Sequence, residues 1–378
     1  MPVEQRAAWL DEACSGDGEL RAQIDELLRQ EGSGGSGELI EPVSPLAAGA
    51  LSFEGRAIPA RLGPYELIEQ IGRGGMGAVY KARRVDAEYR STVAIKLVRP
   101  GMDSDFVLSR FRRERQTLAK LSHPNIARLL DGGTADPRTG EDTPGAGGVP
   151  YIVMEHITGA VISEYCRARR LSVRQRVELF LPICAAVEYA HRNFVIHRDI
   201  KPGNILVDET GTPKLLDFGI CKLFLADQPE PGATVDMTLT QGMGLMTPDY
   251  ASPEQVLGLR HDPRSDLFAL GVVLYELATG ELPFGTPQTL AGMRDRIWRD
   301  PEPPRALRPD LPEWLQEIIL HCLEPQAERR YQSAALLAFD LRHPGQVQIT
   351  ARGHKRTQAG LLAQLGRLRS AQIGRAHV

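Results

Sequence analysis

His197-Arg198-Asp199-Ile200-Lys201-Pro202-Gly203-Asn204 decides how this 378-residue sequence is read. An acidic residue, a lysine two positions on and an amide three further stand ahead of the strand-like Ile205-Leu206-Val207. They make a compact polar loop. After Lys214-Leu215-Leu216 comes Asp217-Phe218-Gly219, a second carboxylate at the end of an apolar run. Phosphoryl transfer calls for such a collection: a carboxylate to orient the attacking hydroxyl, a cation for developing charge, and oxygen ligands for Mg2+. Asp217 supplies the second of those metal ligands. As plain turns, two such segments in this order would be a remote coincidence.

Upstream, Gly72-Arg73-Gly74-Gly75-Met76-Gly77 is weak evidence alone, because it suits a dinucleotide fold or a simple turn equally well. Its flanks choose. In a dinucleotide fold the glycines open a helix, whereas here Ala78-Val79-Tyr80-Lys81-Ala82 continues as an alternating strand. A strand–turn–strand hairpin lets backbone N–H groups lie over phosphates without side-chain obstruction. Val93-Ala94-Ile95-Lys96 then ends an apolar strand on a lysine. Strand lysines are usually solvated; an inward Lys96 needs an anion, and the next helix offers Glu114. Within Arg112-Arg113-Glu114-Arg115, that glutamate would otherwise pass for one charge of a surface run. Paired with it, the ammonium is held where α- and β-phosphate oxygens bind.

Over roughly residues 65–341 these segments resemble the eukaryotic-like Ser/Thr protein kinases of bacteria. The resemblance implies an α+β, two-lobed kinase fold with a small β-rich N-lobe (65–154) and a larger helical C-lobe (155–341). It also implies an ATP:protein phosphotransferase that uses ATP with Mg2+, Mn2+ being the alternative ion. By that likeness Lys96 and Glu114 form the strand–helix ion pair, Asp199 is the catalytic base and Lys201 contacts the γ-phosphate. Asn204 and Asp217 are then the metal ligands. Gly72, Gly74 and Gly77 cover the nucleotide, and Val79 and Ala94 sandwich the adenine from above. Met154 resembles the gatekeeper, and Glu155 and Ile157 give hinge backbone contacts. Glu254 is expected to pair with Arg330, and Asp266 to brace the catalytic loop. Thr247, in Thr247-Pro248-Asp249-Tyr250, resembles the substrate platform. Thr234, Thr238 and Thr240 are candidate autophosphorylation sites in trans, with Arg198 to receive the phosphate. The likeness has departures: Ser252-Pro253-Glu254 stands for the usual Ala-Pro-Glu, Met246 for a common glycine and Ile200 for a leucine. The other readings are a kinase-fold module that binds nucleotide or a partner without chemistry, and a small-molecule phosphotransferase. The complete set Lys96, Glu114, Asp199, Asn204 and Asp217 opposes the first; Lys201 and the activation segment oppose the second.

Composition fits a soluble globular chain: 42% hydrophobic and 25% charged residues exclude wholesale disorder. A formal net charge of −3, from 48 acidic against 45 basic residues, gives no footprint for nucleic acid. The 5 cysteines are scattered without a Cys-x-x-Cys pair, which argues against a disulfide framework or structural zinc. The best membrane candidate, residues 267–277, is short and carries Glu276, so it reads as a core helix. Residues 1–31 read as a helical segment and 32–64 as a Gly/Pro/Ala-rich linker. Strands are expected over 65–71, 78–83 and 92–97, a charged helix over 106–121, and a long surface loop over 131–150. Apolar helices are predicted over 173–191, 266–278 and 314–322. Residues 342–372 read as a basic helical tail and 373–378 as a non-biological extension. The expected setting is a cytoplasmic kinase domain whose only membrane contact would come through sequence beyond Gln372. The expected partners are ATP, protein substrates and, for trans-autophosphorylation, a second copy of the chain.

Overall fold

Alternation of apolar and polar residues from Tyr65 onward builds a sheet in the computed structural model. That model describes residues 52–53, 56–57, 60–74, 77–86, 91–98, 118–136, 139–143, 148–218, 248–257, 259, 261–286, 300–350 and 352. Strands β1 (Ser52–Phe53) and β2 (Arg56–Ala57) form a small hairpin. The main sheet has the order β3-β4-β5-β6-β8-β7 and is antiparallel throughout. Its strands are β3 (Arg61–Leu62), β4 (Tyr65–Gly74), β5 (Gly77–Arg84), β6 (Thr92–Val98), β7 (Leu129–Ala135) and β8 (Val149–Glu155). β9 (Gly159–Val161), β10 (Ile205–Asp208) and β11 (Pro213–Leu215) make a second sheet.

Two expectations change here. The sheet begins at β3, inside the stretch read by composition as linker, because Gly63 at φ +50° turns the chain so that buried Leu62 pairs with Tyr65. The loop expected over 131–150 shrinks, because Asp131 to Ala135 belong to β7 and pair with β8. Gly132-Gly133 carry the turn chemistry that misleads the reading. Gly133 is in the strand because it lies under the Tyr151 ring, where a Cβ would sit 2.7 Å from the Tyr151 hydroxyl.

Among the described residues beyond Glu155, helices make up most of the regular structure. The helices are α1 (Ile162–Ala168), α2 (Val173–Arg192), α3 (Pro253–Val256), α4 (Pro263–Thr279), α5 (Pro304–Leu307), α6 (Glu313–Cys322) and α7 (Ala334–Arg342). α2 starts at a capping box in which the Ser172 hydroxyl accepts the Gln175 N–H and Gln175 reaches back. Losing such a cap typically costs about 1 kcal/mol. α4 is apolar nearly all round and, apart from half-buried Glu276, buried from Ser265 to Ala278, as the middle helix of a lobe must be. Asp262 caps its start and Gly280, at φ +87°, ends it.

Two separate cores result. Leu62, Tyr65, Tyr80, Ile95, Leu97 and Val153 pack on one face of the main sheet. A larger core gathers Phe180, Ile183, Leu270, Ile319 and Leu337 from α2, α4, α6 and α7, and takes in Ile152 and Val98 from the sheet. Fully burying each such side chain is worth roughly 1.5–3 kcal/mol. Two cores, one strand-built and one helix-built, give the two-lobed kinase fold. Among the described residues no helix is long and apolar enough to cross a membrane.

Candidate active site

Strand register sorts the upper half of the site. Val79 pairs with Lys96, and Lys96 with Ile152; Lys81 pairs with Ala94, and Ala94 with Met154. Directly paired residues share a face, and the next residue along faces the other way. Val79, Ala94, Lys96 and Met154 therefore lie on one face, and the N-lobe core on the opposite one. β6 is buried from Val93 to Val98, since it lies between β5 and β8 and is covered on both faces. Lys96 is the one charged residue in that run, 5% exposed. A buried ammonium needs an anion, and its Nζ lies 2.5 Å from Asp217 Oδ2.

The glycine hairpin joins β4 to β5, with Gly74 opposite Gly77. Gly77 has φ +142°, and a Cβ there would run into the Leu97 carbonyl oxygen. Glycine at this position is thus required for packing β5 on β6, whatever lies above it. Gly72 has only ordinary contacts with Val79, so nothing steric demands it.

The lower half is the segment after α2. Asp199, at 9% exposure, takes Lys201 Nζ at 3.2 Å on its Oδ2 and the Asn204 amide nitrogen at 3.1 Å. The same amide nitrogen donates to the Asp199 carbonyl at 2.8 Å, which commits it and turns the amide oxygen elsewhere as a donor for a cation. Leu216 is clamped from both sides: its N–H donates to Asn204 O at 2.8 Å, and its carbonyl accepts from His197 Nε2 at 2.8 Å. The clamp aims the next residue. Asp217 and Arg198 hold φ of +55° and +67°, left-handed values that cost non-glycine residues energy and persist only where surroundings enforce them.

Buried Asp266 on α4 is that enforcement at Arg198. Its carboxylate accepts the His197 N–H at 2.7 Å, the Arg198 N–H at 2.8 Å and His191 Nε2 at 2.8 Å. Burial alone would raise its pKa, but the His191 bond, the nearby imidazoles and the His197 N–H outweigh it and hold the pKa below the usual range. Burial pushes the His197 pKa down, so the ring is neutral. Nδ1 accepts the Asp199 N–H at 3.2 Å, which leaves the proton on Nε2 for Leu216.

Lys96, Asp217, Asp199, Lys201 and Asn204 thus converge through contacts of the lysine, the loop and the Leu216 clamp. Met154, Glu155 and Ile157, all half-buried, follow at the end of β8. Glu254 meets Arg330 as a two-pronged ion pair at 2.7 and 2.8 Å. Gly75, Met76, Glu114, Gly219, Thr234, Thr238, Thr240 and Thr247 lie outside the described residues. Sequence reasoning missed His191, far from Asp266 in the chain, and Gln255, whose amide donates to the Arg198 carbonyl at 3.0 Å. Neither has a local signal that sets it apart from the other polar residues of its helix. Among the described residues no group of three or more His, Cys, Asp or Glu could hold a metal. A cation here would rest on the two oxygens of Asn204 and Asp217 plus phosphate oxygens, a donor set that fits Mg2+.

Residues 65–341 match the family of the protein kinase domain. The chain is similar to serine/threonine-protein kinase PknB of Mycobacterium tuberculosis strain H37Rv, 38% identical over 280 residues, covering 73% of this chain and 42% of that protein. It is also similar to a probable serine/threonine-protein kinase PknB of Bifidobacterium longum, 36% identical over 282 residues, 74% of this chain and 39% of that one. A probable serine/threonine-protein kinase of Streptomyces coelicolor shows 37% identity over 287 residues, 75% and 40% of the two chains. The chain therefore spans well under half the length of these relatives.

Proposed function

The chain belongs to the protein kinase domain family, and on that premise we propose that it transfers the γ-phosphoryl group of ATP to Ser and Thr hydroxyls of proteins. One observation carries the reading: buried Lys96 lies against Asp217 beside a loop in which Asp199 already contacts Lys201 and Asn204. Asp199 orients the hydroxyl, whose oxygen attacks the γ-phosphorus as the bond to the ADP oxygen breaks, and accepts its proton. Lys201 balances charge on the transferred group and Lys96 holds the α- and β-phosphates. The family uses ATP with a divalent metal; here we assign Mg2+ to Asn204 and Asp217, which would hold it where it would supply neutralising charge to the phosphates. Glu155 and Ile157 offer backbone groups to adenine, beneath Val79, Ala94 and the glycine hairpin, with Met154 as gatekeeper; Glu114 is read as a further anion for Lys96.

Lys201 two residues after Asp199 supports Ser/Thr over Tyr as acceptor, and Thr247 is read as the platform residue. Thr234, Thr238 and Thr240 are read as trans-autophosphorylation sites whose phosphate pairs with Arg198, directly before Asp199. Radiolabelled ATP with a generic protein substrate, followed by phosphoamino-acid analysis and mass spectrometry of the enzyme, tests the set. Phosphoserine and phosphothreonine are expected, with modification in residues 234–240. Absence of transfer defeats the reading; mainly phosphotyrosine defeats the acceptor class.

A further inference from the structure

Glu155 closes β8 and ties three parts of the chain together. Its Oε1 accepts from Lys214 Nζ at 2.8 Å, and its Oε2 from the Arg128 N–H at 3.2 Å. Its own N–H donates to the Arg128 carbonyl at 2.9 Å. Lys214 lies on β11, whose Leu215 exchanges backbone hydrogen bonds with the 125–127 segment: Leu215 N–H to Asn125 O at 2.8 Å, Ala127 N–H to Leu215 O at 2.9 Å. Asp217 follows two residues later. Asp208, the other carboxylate within Lys214's field, instead accepts from the Thr210 and Thr212 N–H groups at 2.9 Å each.

We propose that Lys214 is a positioning residue for nucleotide, acting through Glu155. The inference rests on the kinase reading above, which puts adenine at the backbone of Glu155 and the phosphates' metal at Asp217. The lysine sits three residues before the metal carboxylate and grips the side chain of the residue that meets adenine. It therefore sets the spacing between the two ends of one ligand. Backbone pairing with Val93 and bonding to Arg128 fix the Glu155 main chain, while Lys214 ties its side chain to β11, three residues before Asp217. The two side chains are 17% and 31% exposed, so the bridge is partly screened and its effect modest.

The test compares wild type, Lys214→Met, Lys214→Arg, Glu155→Gln and the Met/Gln double variant. Measured are the Kd for Mg2+–ATP by titration calorimetry, KM for ATP, kcat, KM for a protein substrate, and Tm. Lys214→Met should raise Kd and KM for ATP roughly two- to fivefold, with kcat and protein-substrate KM nearly unchanged. Lys214→Arg should recover most of the affinity, and the double variant should be no worse than either single one. Unchanged ATP affinity in Lys214→Met, or effects that add in the double variant, would overturn the proposal. So would a fall in Tm and kcat at constant KM, which marks a bridge that only supports the fold. A wild type that binds ATP but transfers nothing defeats the kinase reading, and the Kd series then decides on Lys214 alone. A wild type that binds no ATP defeats both.

Discussion

Lys96 and Asp217 come from opposite halves of the domain, 121 residues apart, and meet as an ion pair with the lysine almost fully buried. Neither charge is needed by the two apolar cores, since both point into the space between sheet face and loop. Lys96→Ala removes the ammonium, and Asp217→Asn removes the one negative charge among the metal's two protein ligands. Loss of one preorganised electrostatic contact in a dry site costs on the order of 10²–10³ in rate. Steady-state ATP turnover in both folded variants should show that loss, and wild-type turnover in either would sink the assignment. A second ion pair works on stability instead. Arg330 holds both Glu254 oxygens and also donates to the carbonyls of Glu324, Arg264 and Pro325. Burial would raise the Glu254 pKa, but the Arg330 bonds and charge, helped by Ser265, bring it from 4.5 to about 2. A depressed folded-state pKa means the stabilisation is complete above about pH 4.5 and disappears as pH falls toward 2. It amounts to something on the order of 3 kcal/mol. Urea unfolding should find Glu254→Gln far less stable than wild type at pH 7 and the gap largely closed near pH 2. A gap of constant size would refute the pair's role.

Helix α4 carries the loop's support, and this is an element-scale property because Asp266 acts from its first turn. Asp266→Asn keeps the shape but sets an amide N–H₂ against N–H donors, leaving at least one buried donor without an acceptor at about 1–3 kcal/mol. Arg198 would be released from its left-handed backbone, and Asp199 would shift with it. Misplacement on that scale can cost about 10² in rate, so kcat should fall steeply while the Kd for ATP stays near wild type. Unaltered kcat would mean that the loop holds itself. How far the sequence foresees these elements follows from their period. β4, β5 and β6 and helices α2, α4 and α6 were legible within a few residues at each end, because alternation and helical spacing are local signals. β7 was not, since Gly132-Gly133 mimic a turn and only Tyr151, across the sheet, explains Gly133. The polar loop 197–204 was legible as chemistry. The clamp on Leu216 and the Lys214–Glu155 bridge were not, because each joins residues whose separation no periodicity encodes.

At the scale of the whole molecule, the kinase fold does not stop where the family match stops. Residues 343–350 leave α7, make a 3-10 turn at Pro344–Gln346 and lay half-buried Val347 against the helical core. Thr350 then donates its hydroxyl to Glu317 Oε1 at 2.5 Å and its N–H to Oε2 at 3.1 Å. Arg352 reaches Glu317 at 2.5 Å and Glu324 at 3.3 Å. Both glutamates are only 5% exposed, on or just after α6. Two carboxylates in a helical core repel one another and lose hydration, so the guanidinium from beyond residue 341 serves the lobe itself. Arg352→Ala would leave them short of that charge; removing one partner of a buried pair costs about 3–5 kcal/mol. With Arg352 a quarter exposed, solvent screening brings the expected loss below that range, to roughly 2–3 kcal/mol. Arg352→Lys should fall between, because an ammonium is a point charge that cannot fork to two carboxylates. Chemical denaturation should show these two steps, with ATP KM unchanged in both variants since the clasp touches neither sheet face nor loop. Wild-type stability in Arg352→Ala would mean that solvent already screens the glutamates, and the folded unit would then end with α7.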